Sequence, residues 1–219
     1  FDTAATTGTI TNVGTANNGF EYTLTTVTKT GNYTFDVTEG VLEITKAKTL
    51  TVDATDYSGK YDGSAHGVTA SANFPGGTTI YYRDSYSANP ADYTLTSSPT
   101  ATHVDDSRKV YFVAVNDNYE PAFGDAEITV TPRAVTIDAA DGTKVFDGTA
   151  LKANGWSVNT ASDGFVGSEG FATAATTGTI TNAGTAENGF AYTLKSATLS
   201  ENYDISVAPG TLTVTPRTV

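Results

Sequence analysis

FATAATTGTITNAGTAENGFAYTL, residues 171–194, restates FDTAATTGTITNVGTANNGFEYTL, residues 1–24, without a gap. The agreement runs on through Asn32-Tyr33 and Asn202-Tyr203 to the ends of two blocks, 1–47 and 171–217, at a displacement of 170 residues. A shorter echo lies between them. Thr51-Val52-Asp53-Ala54 leading to Tyr61-Asp62-Gly63 returns as Thr136-Ile137-Asp138-Ala139 leading to Phe146-Asp147-Gly148, displaced by 85. The long spacing is twice the short one, which is the mark of a tandem array whose repeats each form one folded unit.

An 85-residue period divides the 219 residues into small modules, each able to bury one modest core. Roughly one residue in five is threonine, glycine is abundant and methionine is absent, a composition of strands joined by turns. The chain carries a formal net charge of -12 with only twelve Lys and Arg, which argues against nucleic acid and anionic membranes, since both need clustered cations. There is no cysteine, hence no disulfide, thiolate metal site or thiol nucleophile. No stretch reaches the roughly 20 apolar residues that cross a bilayer, and no signal-peptide core opens the chain. Glutamine is absent too, so internal thioester or ester crosslinks built from Cys-Gln or Thr-Gln pairs cannot form.

Taken in order, residues 1–46 read as the back half of a repeat, with Gly8, Gly14, Gly19 and Gly31 punctuating short runs of Thr, aromatic and branched residues. Val41-Leu42-Glu43-Ile44-Thr45 alternates and is predicted to be a closing strand with Leu42 and Ile44 inward. The counterpart of 134–170 is missing ahead of it. Residues 1–46 are therefore expected to be completed by residues outside this stretch or by strands from a neighbouring molecule. A complete but divergent repeat is predicted over 47–132, with strands at 66–72, 78–83, 92–97, 109–115 and 126–131 and no helix. Val110-Tyr111-Phe112-Val113-Ala114-Val115 is apolar on both parities and reads as a central strand covered on both faces. A third repeat, of the same subtype as 1–46, is predicted over 133–219. Thr131-Pro132-Arg133 and Thr215-Pro216-Arg217 mark the two repeat ends, and so short a junction predicts a semi-rigid string.

Lys60-Tyr61-Asp62-Gly63, Lys144-Val145-Phe146-Asp147-Gly148, the Asn118-Tyr119 and Asn202-Tyr203 pairs and the Thr-Pro-Arg endings together resemble the MBG and YDG repeat domains of bacterial cell-surface proteins. That resemblance implies an extracellular all-β module strung in arrays within large adhesin-like proteins, commonly cell-wall anchored, and it brings no catalytic residues. Combined with the strand pattern, the predicted fold is a set of tandem immunoglobulin-like β-sandwich repeats, with a β-grasp-like module as the alternative. The expected role is a structural stalk or spacer that projects a distal functional region. The alternative is direct, weak, multivalent binding of host glycans, mucin or matrix protein.

Candidate sites are few. Tyr81, Tyr82, Tyr86 and Tyr93 cluster in the divergent repeat and suit a sugar or peptide surface, although alternation sends at least one of Tyr81 and Tyr82 toward the core. Asp53 and Asp56, with their counterparts Asp138 and Asp141, stand at matching corners near the repeat junctions. They are candidate calcium ligands or plain turn aspartates; no other cofactor is expected. Tyr61-Asp62-Gly63 and its counterpart read as turns with the ring on the core edge. His66 and His103, the two histidines, lack zinc-ligand spacing, and Ser64 lacks a Gly-x-Ser-x-Gly elbow, so no enzyme is expected. Lys46, Lys48, Lys60 and Lys144 lie where an isopeptide crosslink would need a buried carboxylate beside them.

Overall fold

The computed structural model describes residues 1–219 throughout, and it is all-β, with short 3-10 turns and no α-helix. No helix is long and apolar enough to cross a membrane. Residues 1–46 hold β1 (Thr3–Thr6), β2 (Gly14–Asn18), β3 (Phe20–Thr23) and β4 (Gly40–Ile44). Residues 47–132 hold β5 (Val52–Ala54), β6 (Tyr57–Lys60), β7 (Ala70–Ala72), β8 (Thr79–Arg83), β9 (Arg108–Asn116) and β10 (Tyr119–Thr131). Residues 133–219 hold β11 (Arg133–Ala139), β12 (Gly142–Val145), β13 (Trp156–Val158), β14 (Phe171–Thr176), β15 (Gly184–Asn188), β16 (Phe190–Leu194), β17 (Tyr203–Ala208) and β18 (Gly210–Thr215). Open sheets run in the orders β6-β10-β9-β8, β13-β11-β17 and β12-β18-β15, beside the pairs β1-β3, β2-β4, β5-β7 and β14-β16.

The chain forms two compact units whose limits differ from those of the sequence repeats: Phe1–Ala54, Ala70–Ser97 and Tyr111–Asp125 in one; Thr55–Thr69, Ser98–Val110 and Ala126–Val219 in the other. In the first, Phe112, Val113 and Ala114 of β9 are fully buried, and the Phe112 ring meets the edge of Tyr82 at 6.0 Å. Gly124 lets β10 pass over this ring, because a Cβ there would stand 2.4 Å from Phe112 Cε2. In the second, Val135 and Ile137 of β11 and Leu212 of β18 are fully buried. The alternate burial along β18 and the run of buried residues along β9 are what a half-covered and a doubly covered strand require.

Several sequence expectations are met. The 109–115 run is β9, lying between β8 and β10, and 41–45 falls on β4 with Leu42 and Ile44 half-buried and Val41 and Glu43 exposed. One is not. The strand expected at 92–97 is replaced by a 3-10 turn, Pro90–Asp92, capped by the Asn89 side chain, which accepts from the Ala91 N–H at 3.2 Å. The Tyr93 ring leaves the turn inward and is buried, with its hydroxyl donating to the Ser87 carbonyl at 3.0 Å. Only Leu95 still bridges to Tyr82. The strand expected at 66–72 also shortens to β7.

The two near-identical blocks fold on the same scaffold. Thr3↔Thr23, Ala4↔Tyr22 and Thr6↔Phe20 in β1-β3 recur as Thr173↔Thr193, Ala174↔Tyr192 and Thr176↔Phe190 in β14-β16. Gly14↔Ile44 through Asn18↔Gly40 recur as Gly184↔Val214 through Asn188↔Gly210. The difference lies in what covers them. In the later block β17 pairs in parallel with β11, and Trp156 of β13 packs on Phe171 and Phe190 at 5.8 and 5.1 Å. In the earlier block no residue among 1–46 is fully buried, and 33–38, the counterpart of β17, forms no strand. Tyr33 is 62% exposed where Tyr203 is 6%.

Asn188 and Asn18 measure the consequence atom by atom. Each Oδ1 accepts from a glycine N–H, Gly178 at 3.0 Å and Gly8 at 3.2 Å. Asn188 Nδ2 also donates to the Ala140 and Ala153 carbonyls at 2.8 and 2.9 Å, and the residue is fully buried. Removing a buried amide strands those partners, so Asn188→Ala is expected to cost roughly 2–4 kcal/mol in denaturant unfolding, against less than about 1 kcal/mol for Asn18→Ala. Equal losses at the two positions would show that the covering strands do not set the cost.

Candidate functional site

Where one repeat meets the next, several polar side chains act together. In the second unit, β10 and β11 are separated by Pro132 alone, and Arg133 opens β11 with its side chain turned onto neighbouring carbonyls. Its guanidinium donates to the Gly164 carbonyl at 2.8 Å, the Asp163 carbonyl at 2.8 Å and the Tyr61 carbonyl at 3.4 Å. Lys60 Nζ reaches both oxygens of the Asp163 carboxylate at 2.9 and 2.8 Å. That hydrogen bond, followed by one from the Ala134 N–H, holds the Asp163 carboxyl below its usual range. The pair is partly solvated, with Lys60 60% exposed, so solvent screening leaves it a weak contribution of its own. No buried carboxylate faces Lys60 in the manner an isopeptide crosslink needs.

Tyr61 lies beneath this rim, 3% exposed, and donates its hydroxyl to Glu169 Oε1 at 2.6 Å. Tyr203 donates to Glu169 Oε2 at 2.7 Å and accepts from the Val166 N–H at 3.0 Å. One carboxylate thus ties two tyrosines whose rings meet edge to face at 5.6 Å, while His103 stacks on Tyr61 at 5.7 Å. Burial first, and the Glu169 hydrogen bond second, push the Tyr61 hydroxyl up to about 12. Tyr203 is likewise pushed up, chiefly by burial.

Beside the tyrosines, Asn202 is fully buried; its Oδ1 accepts from the Val104 N–H at 3.0 Å and its Nδ2 meets His103 Nδ1 at 2.8 Å. With Oδ1 taken as the acceptor, Nδ2 donates and His103 Nδ1 accepts. The first unit contains the same device by itself. Asn118 Oδ1 accepts from the Val13 N–H at 2.9 Å and Asn118 Nδ2 donates to Asn12 Oδ1 at 3.2 Å. Asn118 and Asn202, the asparagines of two of the three Asn-Tyr pairs, therefore grip the backbone of the preceding repeat, 105 residues earlier in one case and 98 in the other. Sequence reading placed no contact on these asparagines beyond their motif; the signal of a further task was their recurrence next to a tyrosine, 84 residues apart.

The turns and corners singled out in the sequence find their partners locally. Asp62 Oδ1 accepts from the Ser64 N–H at 2.8 Å and Asp147 Oδ1 from the Thr149 N–H at 2.9 Å. Gly63 and Gly148 follow at φ +79° and +80°, a conformation that side chains with a Cβ rarely adopt. His66 caps the first turn at 2.9 Å and stacks on Tyr57, whereas Lys144 fills that place in the second at 2.7 Å. These partners hold Asp62 and Asp147 below the usual carboxylate range, through His66 and Lys144 respectively, then the backbone N–H.

Asp56 Oδ1 accepts from the Glu127 N–H at 2.8 Å, and Asp141 Oδ1 from the Thr211 N–H at 2.7 Å, each pinning a closing strand. Asp138 accepts from Asn159 Nδ2 at 2.9 Å, and Asp53 lies exposed on β5. No three His, Asp or Glu side chains converge in a metal-holding group. The four tyrosines divide: Tyr82 and Tyr93 are buried, Tyr81 is half-buried, and Tyr86 is 63% exposed. They do not share one exposed face. Tyr82 is a core residue whose hydroxyl accepts from the Ala70 N–H at 3.0 Å, and Tyr86 sits against Tyr111 and Phe123 at 6.0 and 6.4 Å.

No protein-family model matches the chain, and a search of curated proteins returns no match.

Two outcomes are expected at the junction. Because the folded Tyr61 hydroxyl ionises near 12 against an ordinary 10.0, its contribution to stability is intact below pH 10 and is lost as pH rises through 12. Ultraviolet titration should show a late-ionising tyrosine that disappears in Tyr61→Phe, and Glu169→Gln should bring its midpoint down. Asn202→Ala should destabilise the second unit by roughly 1–3 kcal/mol, because the Val104 N–H loses its acceptor. Hydrogen exchange at Val104 tests this, with no acceleration as the contrary result.

Proposed function

We propose that this chain is a run of immunoglobulin-like β-sandwich repeats of the MBG/YDG kind, serving as a stalk or spacer in an extracellular, adhesin-like protein of a bacterial surface. The repeats would be a back half at 1–46, a divergent complete repeat at 47–132 and a complete repeat at 133–219, and the protein would be anchored to the cell wall. The observation that carries this reading is the recurrent latch: Asn118 and Asn202 each fasten one repeat to the backbone of the one before. An asparagine bridging two modules, fully buried at Asn202 and half-buried at Asn118, is of little use to a ligand and of direct use to an array under tension. The Arg133 fork and the Tyr61-Glu169-Tyr203 triad stiffen the second junction further. An acidic surface then limits non-specific sticking. Asn182-Ala183, the counterpart of the gripped Asn12-Val13, lies exposed beside Phe146 and Arg217 and would take the asparagine of a following repeat. The reading assigns the chain no catalytic role and no required cofactor.

Direct binding of a host glycan, mucin or matrix protein is the second reading, and the exposed Tyr86 against Tyr111 and Phe123 favours it. The two are separated by displaying the chain multivalently to such ligands while following inter-repeat order by residual dipolar couplings. The stalk reading expects no saturable binding, and it expects Asn118→Ala with Asn202→Ala to loosen inter-repeat order while each repeat stays folded. Saturable binding abolished by Tyr86→Ala, with inter-repeat order unchanged in the double variant, would overturn it in favour of the adhesive repeat.

A further inference from the structure

Three Asn-Gly steps occur in the chain, Asn18-Gly19, Asn154-Gly155 and Asn188-Gly189. Such a step is open to attack of the backbone on the side-chain amide, because glycine puts no Cβ in the way of its own nitrogen. Sequence makes the three alike, and the structure separates them. Asn188 is fully buried at the end of β15, its Oδ1 accepting from the Gly178 N–H and its Nδ2 donating to the Ala140 and Ala153 carbonyls. Its amide cannot turn toward the Gly189 nitrogen without breaking these bonds. Asn18 is half-buried at the end of β2 and holds the Gly8 N–H. Asn154 and Gly155 are both exposed, in the irregular segment between Leu151 and β13, and neither the Asn154 amide nor the Gly155 N–H makes a hydrogen bond within the chain.

We propose, independently of the stalk reading, that Asn154 is a site of spontaneous modification, where the Gly155 nitrogen closes on the Asn154 side chain and converts it to aspartate and isoaspartate. The Gly155 nitrogen attacks Asn154 Cγ, and a new C–N bond forms. The C–N bond to the side-chain amide breaks, and that nitrogen leaves as ammonia, taking the proton of the Gly155 N–H. Water then opens the cyclic imide at one carbonyl or the other. One product has an ordinary backbone and an aspartate side chain; in the other the backbone runs through the former side chain. No oxidant, reductant or enzyme enters. The neighbouring residues give the second product a consequence. Ala153, just before, accepts from Asn188 Nδ2 at 2.9 Å and from the Thr176 hydroxyl at 2.8 Å, and Gly155 accepts from the Ala140 N–H at 2.9 Å. Trp156 follows at once and packs on Phe171 and Phe190. Isoaspartate adds a methylene to the chain between these anchors, so the Ala153 and Gly155 carbonyls can no longer hold both sets of partners, and the indole is drawn off its seat.

The test holds the folded 219-residue chain at mildly alkaline pH and maps its peptides by mass, reading the replacement of NH2 by OH and separating aspartate from isoaspartate by retention. Asn154 should convert about tenfold faster than Asn188 or more, because it alone reaches the attacking geometry without giving up hydrogen bonds. In denaturant the Asn-Gly steps should react at similar rates. A folded chain that leaves Asn154 intact while the denatured chain reacts, or that converts Asn188 as fast as Asn154, overturns the site. The aged chain should also exchange its Ala140 amide faster by about tenfold or more. Emission from its single tryptophan should move toward that of an indole in water. Asn154→Gln, aged alike, should show neither change, since its longer side chain closes a larger and slower ring. Asn154→Asp, which carries the new charge on an ordinary backbone, should show neither when fresh. Conversion to isoaspartate with Ala140 exchange unchanged, or both changes already present in fresh Asn154→Asp, overturns the link to the Trp156 cover.

Discussion

The parallel ladder between β11 and β17 is the constraint on which the completed repeat depends. It converts 203–208 into a strand, brings Val135 and Ile137 under the sheet, and carries β13 so that Trp156 closes over Phe171 and Phe190. The chain contains its own control for that statement. Residues 1–47 hold nearly the same sequence in the same hairpin registers without the covering strands, and burial drops throughout: Leu212 is sealed where Leu42 is half-exposed. Local propensity and turn chemistry are enough for β1 to β4. Burial needs a second layer, since a two-stranded pair has no interior of its own.

Between repeats the controlling interaction is of another kind. Pro132 alone separates β10 from β11, so the junction has little freedom, and polar groups there must find partners or remain unpaired close to the core. Asn202, Glu169 and Arg133 meet that need with side-chain amide, carboxylate and guanidinium hydrogen bonds, and Asn118 does so in the first unit. Each satisfies backbone or hydroxyl groups contributed by the preceding repeat. Directional bonds of this sort select particular donors and acceptors, which apolar packing alone does not.

The conserved geometry of the two Asp-Gly turns shows how a motif can hold its shape while its surroundings change. Asp62 and Asp147 cap equivalent N–H groups and Gly63 and Gly148 take nearly the same φ, yet His66 supports one carboxylate and Lys144 the other. The rings before them part company. Tyr61 is buried against Glu169 and Tyr203, whereas Phe146 stays 37% exposed. The turn is a local object, and the fate of its aromatic ring is decided by what lies next to it.

Much of the fold was legible in the residues themselves. Strand class followed from threonine, branched residues and turn signals; the central position of β9 followed from its apolar runs on both parities; the repeat followed from identity at a fixed displacement. These are local or self-referential properties, and a sequence carries them without reference to partners. The candidate site was far less legible. Of the four tyrosines read as a candidate binding cluster, with at least one of Tyr81 and Tyr82 inward, Tyr82 and Tyr93 are core, because whether a tyrosine packs inward depends on a cavity formed by distant segments. Asp56 and Asp141, read as candidate calcium ligands or plain turn aspartates, cap the Glu127 and Thr211 N–H groups about seventy positions away, a contact that sequence does not show. The Asn118 and Asn202 latches span still longer separations. What the sequence determined by itself was the repeat, the strand class and the turns, since each follows from nearest neighbours along the chain. What only the tertiary structure decided was which distant residues meet, Asn118 with Val13, Asn202 with Val104 and Glu169 with Tyr61 and Tyr203, because such contacts belong to segments that the chain order leaves far apart.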